Sequence, residues 1–228
     1  MSGPFYKAGG APTRERILVA AQRCFASLPY DKTGLRDIGR LAGVDVAYVH
    51  RSFGSKKQLF TRSVEQAALP LGPFLADDLR LPVRMAEEAL GRPSMPGLPS
   101  LLEILSRSLS SLDVADVVGE AIAGKILDPL RAQGQADAEE AALLTTALLI
   151  GMQALRNVLP EEEFEKSARD RLSARLAAAI EFVRSAPADP APPSGNQTVA
   201  RSIEPVDQSP SDRKSAHAHQ VAAATASG

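Results

Sequence analysis

The stretch Leu35-Arg36-Asp37-Ile38-Gly39-Arg40-Leu41-Ala42-Gly43-Val44-Asp45-Val46-Ala47-Tyr48-Val49-His50-Arg51-Ser52-Phe53 reads as two short helices meeting at a corner. Ile38 and Ala42 fall one turn apart and give the first helix an inward face, against which Val44, Val49 and Phe53 pin the second. Gly43 stands where the chain must turn sharply, and only glycine takes a positive φ there at no steric cost. Asp45 is a good N-cap for the second helix, and Gly54 ends it. The pattern predicts a helix-turn-helix corner with helices at about 35–42 and 46–53.

A helix flanks the corner on each side. Before it, Ile17, Leu18, Ala21, Cys24, Phe25 and Leu28 recur at helical spacing from Thr13 until Pro29 stops them. Cys24 lies on that stripe and reads as a small buried hydrophobe. After it, Ser55-Lys56-Lys57-Gln58 is a capping box: the Ser55 hydroxyl serves the N–H of Gln58, whose side chain reaches back. It opens a helix through Leu59, Phe60, Val64 and Ala67, on which Lys57 and Arg62 read as solvated charges. Residues 1–68 hold eleven Lys and Arg against five Asp and Glu, a balance of +6, while the rest of the chain carries −7. Such asymmetry suggests that one half meets a polyanion.

Beyond Pro73 the spacing predicts helices at about 74–90, 100–112, 115–133, 137–159 and 162–185. Pro129 should kink or shorten the third of these, and the breakers from Gly91 to Pro99 predict a loop. The whole is all-α with about nine helices, in keeping with a 4% aromatic content, no Trp, and abundant Ala and Leu. The arm at 1–12 and the Pro-, Ala- and Ser-rich tail at 187–228 hold too few large apolar residues to offset their ordering entropy, and are expected to be disordered.

Composition also narrows the function. A single cysteine allows no internal disulfide and makes a Cys-based metal site unexpected. The three histidines are His50, in the corner, and His217 and His219, in the tail. No Ser/His/Asp set, Gly-rich phosphate loop or metal-ligand spacing occurs, so no enzyme activity, cofactor or metal is expected. The acid run Glu161-Glu162-Glu163 reads as a helix N-terminus, where negative charge complements the dipole. The N-terminal residues lack the apolar core of an export signal. The charge-free run Ala141–Leu155 is about a turn short of a bilayer span, which points to a cytoplasmic protein with no membrane association.

Residues 13–60, from Thr13-Arg14-Glu15-Arg16-Ile17-Leu18 through Leu35-Arg36-Asp37-Ile38 and Ala42-Gly43-Val44 to Val49-His50-Arg51-Ser52-Phe53-Gly54-Ser55-Lys56-Lys57-Gln58-Leu59-Phe60, resemble in order the N-terminal domain of tetracycline-repressor (TetR) type transcription regulators. The resemblance implies a DNA-binding domain over 13–68, with the helix from Val46 as the recognition helix in the major groove. Val46, Ala47 and Tyr48 would then approach base edges, and His50 and Ser52 the backbone or nearby bases. Arg36 would be placed for a bidentate contact to guanine, Lys56 at its helix N-terminus for a phosphate, and Thr33 for a further one. The sequence departs from the family at His50, usually Tyr, at Gly34, which loses a capping box, and at Gly39, a common Ala. Val46 replaces a residue that is often polar, and Asp45 brings a negative charge near the phosphates.

Residues 69–186 are expected to form the effector-binding and dimerisation domain. The run Ala141–Leu155 is apolar around nearly its whole circumference, so it should be buried on more than one side, most simply against a second subunit. Ala147 and Gly151 would allow close approach, with Leu155 beside them, and Leu172, Leu176 and Ile180 would add a stripe from the last helix to a four-helix homodimer interface. The resemblance further implies a small-molecule pocket, for which Met85, Leu105, Ile122, Ile126 and Met152 are candidate lining and Gln153 or Arg156 candidate anchors. The reading is a ligand-responsive regulator on a palindromic operator, with repression, the habit of the family, as the expected sense. A small helical enzyme and a sequence-nonspecific DNA-binding protein are the alternatives.

Overall fold

The first helix, α1 (Thr13–Ser27), buries Ile17, Ala20, Ala21 and Phe25. It packs on both α2 (Leu35–Ala42) and α4 (Lys56–Ala68), with α3 (Val46–Phe53) wedged against α2 and α4. The structure is a computed structural model, which describes residues 12–70, 80–91, 97–133, 138–165 and 169–185. The expected arm at 1–12, Pro12 apart, and the expected tail at 187–228 lie outside the described residues. A three-ring cluster holds the head together: Phe25 meets Phe60 edge-on at 5.0 Å, and Tyr30 lies 5.3 Å from Phe60 and 6.0 Å from Phe25.

The local signals of the corner are realised. Gly43 ends α2 at φ 68°, the Asp45 side chain accepts from Ala47 N at 2.7 Å, and both arms of the Ser55/Gln58 capping box are formed. The C-terminus of α2 has a second tie, Arg16 Nη2 donating to the Ala42 carbonyl at 2.9 Å. Gly39 has a reason that helix propensity did not supply. A Cβ there would stand 3.0 Å from the Val44 carbonyl oxygen, so the missing side chain lets the turn close over α2.

The body continues with α5 (Leu81–Ala89), α6 (Leu101–Ser108), α7 (115–131), α8 (Ala138–Val158), α9 (Glu161–Glu165) and α10 (Arg169–Ser185). Two predicted boundaries move. Residues 74–79 of the expected 74–90 helix lie outside the described residues, and α6 ends at Ser108, four residues early. Pro129 does not stop the third predicted helix, which ends at Arg131, two residues short of the expected 133. Instead α7 runs from an α-helical part (Ala115–Ile122) through a π turn (Ala123–Leu127) into a last turn (Asp128–Arg131). Proline has no N–H and its ring crowds the carbonyl four residues back, and the wider turn immediately upstream accommodates both. No strand occurs among the described residues. Head and body share one continuous core, joined where α6 packs on α1 and α4.

Candidate nucleic-acid interface

On α3 the buried residues Val49 and Phe53 define the inward side, so at 100° per residue the opposite side is centred on Arg51, flanked by Ala47, Tyr48 and His50. All four are exposed. The Arg51 guanidinium lies over the Tyr48 ring, 5.6 Å from its centre, which holds a planar donor fork and a phenol side by side on one short helix. Sequence reasoning did not single out Arg51. The signal that could have found it is angular: Arg51 points directly away from the core, whereas the expected contacts cluster at the helix N-terminus.

The other expected contacts fall into two groups. Arg36, in the first turn of α2, is exposed and makes no ion pair or hydrogen bond within the described residues. Val46 and Ser52 are half-buried beside the outward group. His50 Nδ1 lies 2.9 Å from the Gly54 carbonyl, which only accepts, so that nitrogen carries a proton. Two residues are placed differently from expectation. Thr33 is 3% exposed, its hydroxyl engaged with the Pro29 carbonyl at 3.1 Å and near that of Leu28 at 3.4 Å, so it fastens the loop before α2 instead of reaching outward. Lys56 is half-buried with Nζ 4.1 Å from the centre of the Tyr30 ring, and burial pushes its pKa below the ordinary lysine value despite the opposing field of Asp31 and Asp113. Lys57, read as a solvated charge, is exposed and pairs across the surface with Asp116 of α7 at 2.7 Å.

The corner thus presents an outward group of arginine, tyrosine and histidine, with a supporting helix on each side, and known proteins share that plan. Residues 17–62 match the family model described as bacterial regulatory proteins, tetR family, and residues 80–183 match a tetracyclin repressor-like C-terminal domain. The chain belongs to the tetR family. Among solved structures, NalD of Pseudomonas aeruginosa, described as the secondary repressor of the MexAB-OprM multidrug efflux pump, superposes with a TM-score of 0.54 at 19% identity, covering 75% of this chain and 95% of its own. MexZ of the same organism, a repressor responsible for antibiotic resistance, gives 0.53 at 19% identity over 77% and 96%. The fatty acid degradation regulator FadR of Bacillus halodurans gives 0.52 at 14% over 77% and 96%. At these identities the likeness is one of fold. No curated protein matches the sequence.

Among the described residues of this TetR C-terminal domain, the predicted effector residues are taken up by core packing. Met85, Leu105 and Ile126 are buried in the core, Ile122 and Met152 are half-buried against it, and the two expected anchors engage each other, Arg156 Nη1 donating to Gln153 Oε1 at 3.1 Å. The Arg156 guanidinium also lies against Gly91, at φ 74°, where a Cβ would overlap it. A recess of about 10 Å³, roughly one water's worth, opens elsewhere, between Leu130, Gln133, Ala138, Ala141, Ala142, Thr145 and Arg184.

The expected subunit contacts also divide. On α8, Ala147, Gly151 and Leu155 are exposed, in line with Leu143 and Leu144, and a Cβ added at Gly151 would meet nothing within 4 Å. On α10, Leu172 is half-buried, while Leu176 and Ile180 are buried inside the chain, because that stripe packs on α5 and α8. Those two cannot also face a partner, and Phe182 is the large apolar residue that α10 turns outward. By length and composition α8 could cross a membrane, and 28% of its most apolar window is buried within the chain.

Proposed function

We propose that the chain is a ligand-responsive transcription regulator that binds a palindromic operator as a homodimer, with α3 in the major groove. The observation that supports this best is the outward side of α3, where Ala47, Tyr48, His50 and Arg51 stand exposed on a helix fixed from behind by Val49 and Phe53. Arg51 presents the donor fork suited to guanine O6 and N7, Tyr48 a hydroxyl and an apolar ring edge, and Ala47 a methyl that allows close approach to a thymine methyl. Arg36 adds a second exposed guanidinium from α2. The N-terminus of α4 favours a phosphate nearby.

One such helix reads only a few base pairs, so a symmetric pair is needed for usable specificity. The exposed leucines of α8, with Phe182 on α10, supply an apolar surface that a second copy would cover. Covering by a copy of itself accounts for that surface in a cytoplasmic protein without a membrane. A small-molecule effector held in the body would act by its differential affinity for two spacings of the paired heads, with repression the expected sense. NalD and MexZ are themselves repressors, which is consistent with this.

Selection of bound duplexes from a random pool tests the reading. One palindrome should emerge, with affinity falling by about 0.9 log units per log unit of salt for each phosphate neutralised. Salt-sensitive binding with no preferred sequence would indicate a nonspecific DNA-binding protein instead.

A further inference from the structure

Polar atoms at and just beyond the C-terminal end of α6 find no hydrogen-bond partner among the described residues: Arg107 Nε on the helix and Ser111 Oγ three residues past its end. Arg107 is half-buried, always charged, and brings five N–H donors. Among the described residues they find one acceptor, the Asn157 carbonyl, 3.3 Å from Nη1. The carboxylate best spaced to pair with it is Glu103, one turn earlier, but Glu103 Oε2 accepts from Ser100 N at 2.9 Å in the α6 capping box. Arg107 takes part in none of the ion pairs among the described residues. Its surroundings add further polar groups: the Asn157 amide donates to Ser106 Oγ at 2.9 Å, and Gln153 and Arg156 lie within about a turn of Asn157. A partly desolvated cation without a counter-ion is costly, and a planar guanidinium with unused N–H groups is shaped to receive a carboxylate.

We propose that the effector is a small organic carboxylate and that Arg107 is its anchor. This deepens the regulator reading and rests on it. The position explains how occupancy would reach the DNA-binding head. The next residue, Ser108, is fully buried, and its hydroxyl accepts from Tyr30 N at 3.3 Å. Tyr30 belongs to the aromatic cluster of the head and lies under the Lys56 ammonium. A ligand that draws the end of α6 toward itself therefore shifts the support on which Tyr30 rests, and with it the start of α4.

The full-length protein is titrated with sodium octanoate and sodium benzoate, with the methyl esters as neutral controls, following both thermal unfolding and retention of the selected operator. Both carboxylates are expected to raise Tm by a few degrees and to change operator affinity, while the esters do neither. Arg107→Gln loses both responses yet melts no lower than the wild type without ligand, because it sheds an uncompensated charge. Arg107→Lys keeps a partial response. Three outcomes overturn the proposal: no response to either carboxylate, an equal response to the esters, or a full response in Arg107→Gln. An unliganded Arg107→Gln that melts well below the wild type assigns Arg107 a structural role and overturns it too, as does inorganic phosphate reproducing the whole effect. If carboxylates stabilise the wild type and not Arg107→Gln but no palindrome is ever selected, the regulator reading fails and the anion site stands. A selected palindrome whose binding ignores carboxylates sinks the anion site alone.

Discussion

Arg51 and His50 are neighbours on the outward side of α3, yet physical chemistry gives them different tasks. Arg51 remains charged at every relevant pH, and its stacking on Tyr48 narrows the directions in which its fork points before DNA arrives. Arg51→Ala is expected to weaken the selected palindrome by about 1–3 kcal/mol and to relax preference at one position per half-site. The same variant should leave Tm close to that of the wild type, since the side chain is exposed and buries little of the head. Binding arrays read the first effect and thermal melts the second. His50 has already committed Nδ1–H to the Gly54 carbonyl. Its ring is therefore held by the backbone at the end of α3, and His50→Ala is expected to loosen that end more than it changes base preference, which thermal melts and binding arrays separate.

At the scale of the element, the corner was legible because each of its signals is local. Gly43, Asp45 and the Ser55/Gln58 pair act through backbone groups within a few residues, so reading them requires no knowledge of the rest of the chain. Gly43→Ala tests this most directly. An L-residue held at φ 68° costs about 1–2 kcal/mol, and that loss should appear in the denaturant midpoint with an unchanged m-value. Gly39 escaped the same reasoning because its partner, the Val44 carbonyl, comes close only after the turn has formed. The π turn before Pro129 escaped it because proline's effect depends on whether the neighbouring turns can widen, which packing decides. The stripe Leu172, Leu176 and Ile180 was legible as apolar, but not as facing α5: periodicity reveals that a helix has a buried side and is silent on what buries it. Thr33 failed for a related reason, since a hydroxyl in a loop satisfies backbone carbonyls as readily as it meets a phosphate.

At the scale of the molecule, two surfaces govern whether a fixed corner becomes a regulated one. The first is the joint between head and body, where Lys57 and Asp116 meet at 2.7 Å and hold the Asp116 carboxyl below its ordinary pKa, chiefly through the hydrogen bond from Lys57. A carboxylate depressed in the folded state contributes stability that is complete above its unfolded pKa and is lost as pH falls through the folded one. Asp116→Asn should therefore lower the neutral plateau slightly, the pair being exposed, and flatten the fall below about pH 4, where the two profiles converge. The second surface is the outer side of α8. Leu143, Leu144 and Leu155 are each about half exposed on the single chain, with Ala147 and Gly151 between them, an arrangement that isolated solubility would disfavour and a two-fold partner would resolve. A two-fold axis doubles any change made there. Leu144→Glu places two carboxylates in the covered region, each costing several kcal/mol if left unpaired. Sedimentation is expected to show a dimer for the wild type and a folded, detergent-free monomer for Leu144→Glu, with helical content retained and the palindrome bound only as weak half-sites. A variant that remains dimeric moves the subunit contact elsewhere on the body. A wild type that requires detergent would give α8 to a lipid bilayer and remove the symmetric pair on which two-groove recognition depends.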